Sequence, residues 1–174
     1  MTRSGSAGFP DALTADTAPL RIERVTDEAS LRDWRRVHNL IIPPDALTLD
    51  EVRERAGRHL LDVAYLGDVP VGCTTVRRPT PDAPSVATVI ARILPAHRGQ
   101  GLGTALYAHA LAHAHALVPA PDTIETIVLA SNQDGLRFAL SRGYAECDRY
   151  TLEGATVPYL HLRVRAPAAA GTVG

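Results

Sequence analysis

Glycines at three alternate positions, Gly99, Gly101 and Gly103, stand between an apolar run over 85–94 and a stretch that sets Leu102, Leu106, Ala110, Ala114 and Leu117 on one helical face. Glycine reaches backbone angles that other residues avoid, so such a turn can aim several N–H groups into one concavity. The helix that follows adds its own unpaired amides and the positive end of its dipole. Strand, glycine turn and helix in this order predict a phosphate or pyrophosphate site. A tight connection that holds no ligand is the plainer alternative.

Several phosphate loops share that geometry, and the sequence removes two of them. All 18 cations are arginine, so a loop that needs a lysine fails, and lysine Schiff-base chemistry fails with it. A dinucleotide fingerprint begun at Gly101 and Gly103 requires glycine at position 106, where Leu106 stands; begun at Gly99 and Gly101 it meets Thr104. The 18 cations face 19 acids, a formal net charge of -1, which gives no basic groove for nucleic acid.

The 174 residues fit one domain. Residues 1–18 and 167–174 lack periodic hydrophobicity and read as flexible tails around a folded unit over 19–166. Within it the pattern predicts a strand over 20–26, a helix from Asp27 to a stop at Pro43 and Pro44, and a helix over 49–58 opened by a capping box between Thr48 and Glu51. Strands over 60–66 and 69–77 join at Gly67-Asp68 as a hairpin. After the strand over 85–94 and the helix from Leu102 come a strand over 124–130, a helix over 133–142 closed by Gly143, and strands near 147–153 and 157–165. Cys73 and Cys147 read as buried free thiols, too few for a disulfide framework. The first twenty residues carry one cation, Arg3, and no apolar run, and no stretch reaches membrane-spanning length. A cytoplasmic protein without a membrane partner is the expectation.

One phosphate-binding pattern does fit. Arg98-Gly99-Gln100-Gly101-Leu102-Gly103 resembles the Arg/Gln-x-x-Gly-x-Gly/Ala signature with which the GCN5-related N-acetyltransferases bind coenzyme A. Asn132, followed after ten residues by Gly143-Tyr144, resembles that family's second block. The segment carrying Trp34, Asn39, Pro43 and Thr48 is similar to tandem-domain bacterial members. The resemblance implies an α/β (α+β) single-domain fold, with a mixed, mostly antiparallel central sheet, splayed central strands and about four flanking helices. It implies acetyl-CoA as co-substrate, no metal, and transfer to the amine of a small molecule or peptide within a ternary complex. A homodimer is compatible with it.

By the same resemblance the backbone amides of Arg98, Gly99, Gln100, Gly101, Leu102, Gly103 and Thr104 hold the pyrophosphate, and the backbone of Ile93 and Leu94 pairs with the pantetheine arm. Asn132 would lie near the thioester, and Phe138 would pack against the cofactor or in the core. Acetyl transfer needs a neutral amine, and an alkyl amine with a pKa near ~10.4 is only about one part in 10³ to 10⁴ neutral at pH 7. A proton acceptor is therefore required. Family members often place a glutamate on the strand before the turn, but Ala87-Thr88-Val89-Ile90-Ala91-Arg92-Ile93 has no carboxylate. Where the family carries a proton-donating tyrosine, seven residues after Asn132, stands Ala139. Ser131, Tyr150, Tyr159, His161 and His38 are candidate replacements, and no spacing selects among them. A coenzyme-A-binding module that senses or regulates without catalysis is the alternative. His109 and His113, four apart on the helix after the turn, could share a metal, but no third ligand has matching spacing and an exposed helix edge is the favoured reading.

Overall fold

The computed structural model of the chain describes residues 18–167, and almost all of the two expected tails lies outside them. In chain order the elements are β1 (Leu20–Arg24), α1 (Glu28–Ile41), α2 (Leu49–Arg58), β2 (Leu60–Leu66), β3 (Val69–Arg77), β4 (Val86–Ile93), α3 (Leu102–His115), β5 (Thr123–Leu129), α4 (Gln133–Leu140), β6 (Ala145–Tyr150) and β7 (Tyr159–Arg165). The seven strands form one sheet in the order β1-β2-β3-β4-β5-β7-β6. Every neighbouring pair is antiparallel except β4 and β5, which run parallel. This is the mixed, mostly antiparallel sheet with four helices that the sequence pattern and the resemblance lead one to expect.

Helix ends follow local side-chain chemistry. Asp27 caps α1, its carboxylate accepting from Ser30 N–H at 2.8 Å while Ser30 Oγ accepts from Asp27 N–H at 3.2 Å. The expected box opens α2, where Glu51 Oε2 accepts from Thr48 N–H at 2.7 Å. Asn39 then fixes the connection between the two helices, donating to Leu47 O at 3.0 Å and accepting from Leu47 N–H at 2.9 Å.

Alternation along each strand sorts side chains to two faces. On one face Leu31, Trp34 and Val37 of α1 and Val52 of α2 pack on Leu61, Val63 and Cys73. On the other, Leu106, Ala110 and Ala114 of α3 and Ala139 of α4 cover Val76, Val89, Ile93, Ile124 and Leu162. Trp34 is fully buried and donates its indole N–H to Thr74 O at 2.8 Å, so the largest side chain of the first face has its polar atom satisfied. Among the described residues no helix is long and apolar enough to cross a membrane.

Gly72 of β3 marks the closest approach in this core. A Cβ built there would lie 2.7 Å from both Arg92 O and Ile93 Cδ1, and 3.1 Å from Leu106 Cδ2. Backbone cannot yield as a side-chain tip does, so Gly72→Ala is expected to destabilise the fold by about 1–3 kcal/mol. Urea unfolding of the variant, with its slope unchanged, checks this value.

Candidate active site

The β4–β5 ladder is short. It runs from Val86 opposite Thr123 to Thr88 opposite Glu125 and then ends, although both strands continue. Leu94 N–H donates to Val71 O at 2.9 Å with Gly72 opposite Ile93, so by the alternation of an antiparallel ladder the peptide groups of Ala91 and Ile93 turn away from β3 and towards β5. Ala130 N–H likewise donates to Pro158 O at 2.9 Å with Leu129 opposite Tyr159, which turns the peptide groups of Ile127 and Leu129 towards β4. Both walls of the resulting wedge thus present backbone polar groups without a ladder partner. Such groups call for an extended ligand that can complete the sheet.

The glycine turn closes the broad end of that wedge. Gly99 and Gly101 have φ of 74° and 78°, in the left-handed region, and a Cβ at either would meet nothing within 4 Å among the described residues. Gly101 is the N-cap of α3 and offers no side-chain acceptor to the first-turn amides. Those amides and the helix dipole are therefore free for an anion. Arg98 folds back to donate from Nε to Ile93 O at 3.0 Å, tying the turn to the end of β4. Arg142, which sequence reasoning did not single out, donates to Thr104 Oγ1 at 3.2 Å and lies 3.4 Å over the Phe138 ring, adding a cation beside the turn.

Wedge and turn open into one cavity of about 880 Å³. Of the residues singled out from sequence, Ile93, Arg98, Gly99, Gly101, Gly103, Thr104, Asn132 and Phe138 line it, as does Tyr144. Leu94, Gln100 and Leu102 do not: the Leu94 N–H is held by Val71, Gln100 is exposed, and Leu102 packs beside Leu106. Asn132 serves as the N-cap of α4, accepting from Gly135 N–H at 3.0 Å. Tyr144 is buried and shares a 2.7 Å hydroxyl contact with Tyr107. Ala139 is buried in the core behind them.

On the face covered by α1 and α2, the sheet gathers a polar group beside the wedge. His161 of β7 stands opposite Ile127, a wall residue, and its Nδ1 contacts the carboxylate of Glu125. A carboxylate can only accept, so Nδ1 carries the hydrogen and the lone pair of the neutral ring sits on Nε2. That Nε2 is buried and has no hydrogen-bond partner among the described residues, and the same is true of the hydroxyl of Tyr159, which lines the cavity. Burial pushes the Tyr159 phenol above its ordinary range. Tyr150 stacks on Tyr159 with ring centroids 5.4 Å apart and meets His161 edge-on at 5.2 Å.

Glu125 is the carboxylate that sequence reasoning missed, because that reasoning looked for it on β4. The signal was present: Glu125 is the one charged residue in Thr123–Leu129, and it is 7% exposed. Of the candidate replacements, Ser131 and Tyr159 line the cavity, whereas Tyr150, His161 and His38 do not. His38 is fully buried, stacked on Trp34 at 5.0 Å and bonded through Nε2 to Asp45 O at 3.0 Å, which makes it a core histidine. Cys73 is buried as expected and its thiol is pushed up to about 11 by burial, but Cys147 is exposed because it lies on edge strand β6, whose six residues are all exposed.

The sequence model of the family described as Acetyltransferase (GNAT) family matches residues 25–144. Solved structures agree in fold. A protein provisionally named a phosphinothricin N-acetyltransferase is 19% identical with a TM-score of 0.70, over 86% of this chain and 99% of that one. YncA from Salmonella typhimurium, solved with its cofactor acetyl-CoA, is 15% identical with a TM-score of 0.66, over 87% and 96%. NAA60 from Arabidopsis thaliana, solved with a bisubstrate analogue, is 12% identical with a TM-score of 0.68, over 84% and 98%. No curated protein matches the chain.

Proposed function

The chain belongs to the GCN5-related N-acetyltransferase family, and from that premise we propose that it transfers acetyl from acetyl-CoA to the amine of a small molecule or peptide, directly and within a ternary complex. The observation that carries this reading is the wedge of peptide groups without ladder partners running into an uncapped glycine turn. Acetyl-CoA supplies an activated acyl group, a diphosphate and an amide-bearing arm, and the residues present suit each part. Amides of Gly99 through Thr104 bind the diphosphate, the Arg98 N–H being held by Pro95 O; the peptide groups of Ala91 and the N–H of Ile93 pair with the arm, and a β4 N–H facing the wedge stabilises negative charge on the acyl oxygen.

The chain's own groups also handle the protons. Glu125 holds His161 with Nε2 free, and Nε2 takes the proton from the acceptor amine through water, because His161 stands behind the cavity wall and does not line it. Tyr159, kept protonated by burial, returns a proton to the departing sulfur in place of the tyrosine that Ala139 replaces. Neither cysteine is needed, which favours direct transfer over a covalent enzyme intermediate.

Charge on the acceptor side narrows the acceptor. Arg92 lines the cavity, and burial lowers both Arg92 and Arg77 below the ordinary arginine range. Of the carboxylates that pull on Arg77, Glu125 is shared with a second cation, Arg163, which leaves Asp45 as the other. An acceptor with an acidic group near its amine supplies the missing countercharge. Incubation with acetyl-CoA and an amine panel graded by charge, with mass detection, tests this: acetylated acidic amines are expected. No product and no thiol release across the panel would leave the regulatory module standing.

Gly101→Ala separates the turn from the rest of the site. At a φ of 78° an alanine is strained by about 1–2 kcal/mol; the free turn sheds that strain by leaving the conformation that binds, so acetyl-CoA affinity is expected to fall by up to about tenfold. At Gly103 a Cβ would rest 3.8 Å from Ile93 Cγ1, an ordinary contact, so any loss of affinity in Gly103→Ala reports intrusion on the ligand. Calorimetric titration of both variants, with far-ultraviolet dichroism to show the fold intact, checks the pair.

A further inference from the structure

We propose that Asp62, His109 and His113 form a binding site for a transition-metal dication of the zinc type, independent of acetyl transfer. Sequence spacing offers the two histidines no third donor, but the fold supplies one from β2, a strand separated from the wedge by β3. The expected exposed helix edge is thereby corrected: both rings are partly buried and face the sheet's buried carboxylate.

The distances suit a shared ion. His109 Nε2 and His113 Nε2 lie 3.2 Å apart, and His109 Nε2 lies 3.6 Å from Asp62 Oδ2. One ligand atom from each of the three residues falls within 4.8 Å of the others. Two nitrogens held by zinc at about 2.05 Å with a tetrahedral angle stand about 3.3 Å from each other. The i, i+4 spacing on α3 puts both rings on one side of the helix, above β2.

The carboxylate is also anchored as a ligand should be. Asp62 has 1% of its surface exposed, and Arg24 Nε donates to Oδ1 at 2.6 Å while Thr74 Oγ1 donates to Oδ2 at 3.1 Å. These bonds fix the carboxylate plane and leave Oδ2 a lone pair for a metal. His109 keeps 31% of its side chain exposed, which provides an entry path and room for water as a fourth ligand. A hydrogen bond between the two rings would need Nε2 protonated on one and bare on the other, whereas a dication takes both lone pairs together with the buried negative charge. Imidazole and carboxylate donors of this kind favour zinc over magnesium or calcium.

The full-length chain, stripped with EDTA, is titrated with Zn²⁺ against a chromogenic chelator and melted with and without the ion. The expected result is one Zn²⁺ per chain, a raised melting temperature, visible d–d absorption on Co²⁺ substitution, and no response to Mg²⁺. His113→Ala and His109→Ala should each weaken Zn²⁺ binding at least about tenfold and abolish the Co²⁺ bands. Asp62→Asn removes a buried ion pair and can unfold the chain, so the two histidine variants, melted in EDTA to show a wild-type fold, decide the question. Absence of Zn²⁺ binding by the wild type, or equal binding by wild type and the double variant, overturns the site.

Discussion

Replacing His161 by alanine lowers kcat/KM for acetyl transfer by about 10²- to 10⁴-fold, the range for loss of a positioned proton acceptor, and leaves acetyl-CoA affinity within about twofold. The two effects separate because His161 stands on the face covered by α1 and α2, beside the wall residue Ile127, and not on the glycine turn. Glu125→Gln acts through the same imidazole. A glutamine amide can present N–H as well as C=O to Nδ1, so the hydrogen is no longer forced onto Nδ1 and Nε2 loses part of its free lone pair. A loss intermediate between wild type and His161→Ala is therefore expected, and the double variant should resemble His161→Ala alone, since the two residues act as one unit. Stopped thiol-release assays with calorimetric titration of acetyl-CoA measure both quantities. Full activity in His161→Ala would move the proton acceptor elsewhere, with Ser131, which lines the cavity as His161 does not, as the next candidate.

Features written in adjacent residues were legible before any coordinates. The capping box at Thr48 and Glu51 and the two-residue turn at Gly67-Asp68 act within a few residues, and the helix and hairpin they imply occur as Leu49–Arg58 and as Leu60–Leu66 with Val69–Arg77. The sixth strand was less legible: an edge strand with every residue exposed has no alternation to read, and it begins at Ala145, two residues before the expected start. Pairings across the sheet were not legible at all. Glu125 meets His161 across a separation of 36 residues because β5 and β7 run antiparallel in one register. Asp62 meets His109 only because α3 packs on β3, the neighbour of β2 in the sheet, so that the imidazole reaches the β2 carboxylate. A one-residue slip in either register would turn these side chains to the opposite face, so the candidate base and the candidate metal site both depend on strand pairing that no local motif encodes.

Stability should fall as the solution is acidified from neutrality, before the carboxylates titrate. Burial pushes the His38 imidazole down to about 4, with repulsion from Arg92 acting in the same direction. An unfolded chain returns it to about 6.5. Between those values the unfolded state binds the proton and the folded state does not, so the stabilisation is whole above pH 6.5 and is lost progressively as pH falls towards 4. The complete loss is about 3 kcal/mol, and most of it has gone by pH 4.5. His59, also lowered by burial, adds a loss of the same sign in the same window. Asp27 and Glu51 are lowered by their capping hydrogen bonds, so their stabilisation disappears only at more acidic pH. Urea unfolding at pH 7.5 and 4.5 should therefore show a clear drop in midpoint for the wild type. The drop should shrink in His38→Gln, which gives up the bond to Asp45 O at both pH values but has no proton to gain. Equal stability of the wild type at the two pH values would mean that His38 is reached by water in the folded chain, and that the stack on Trp34 opens.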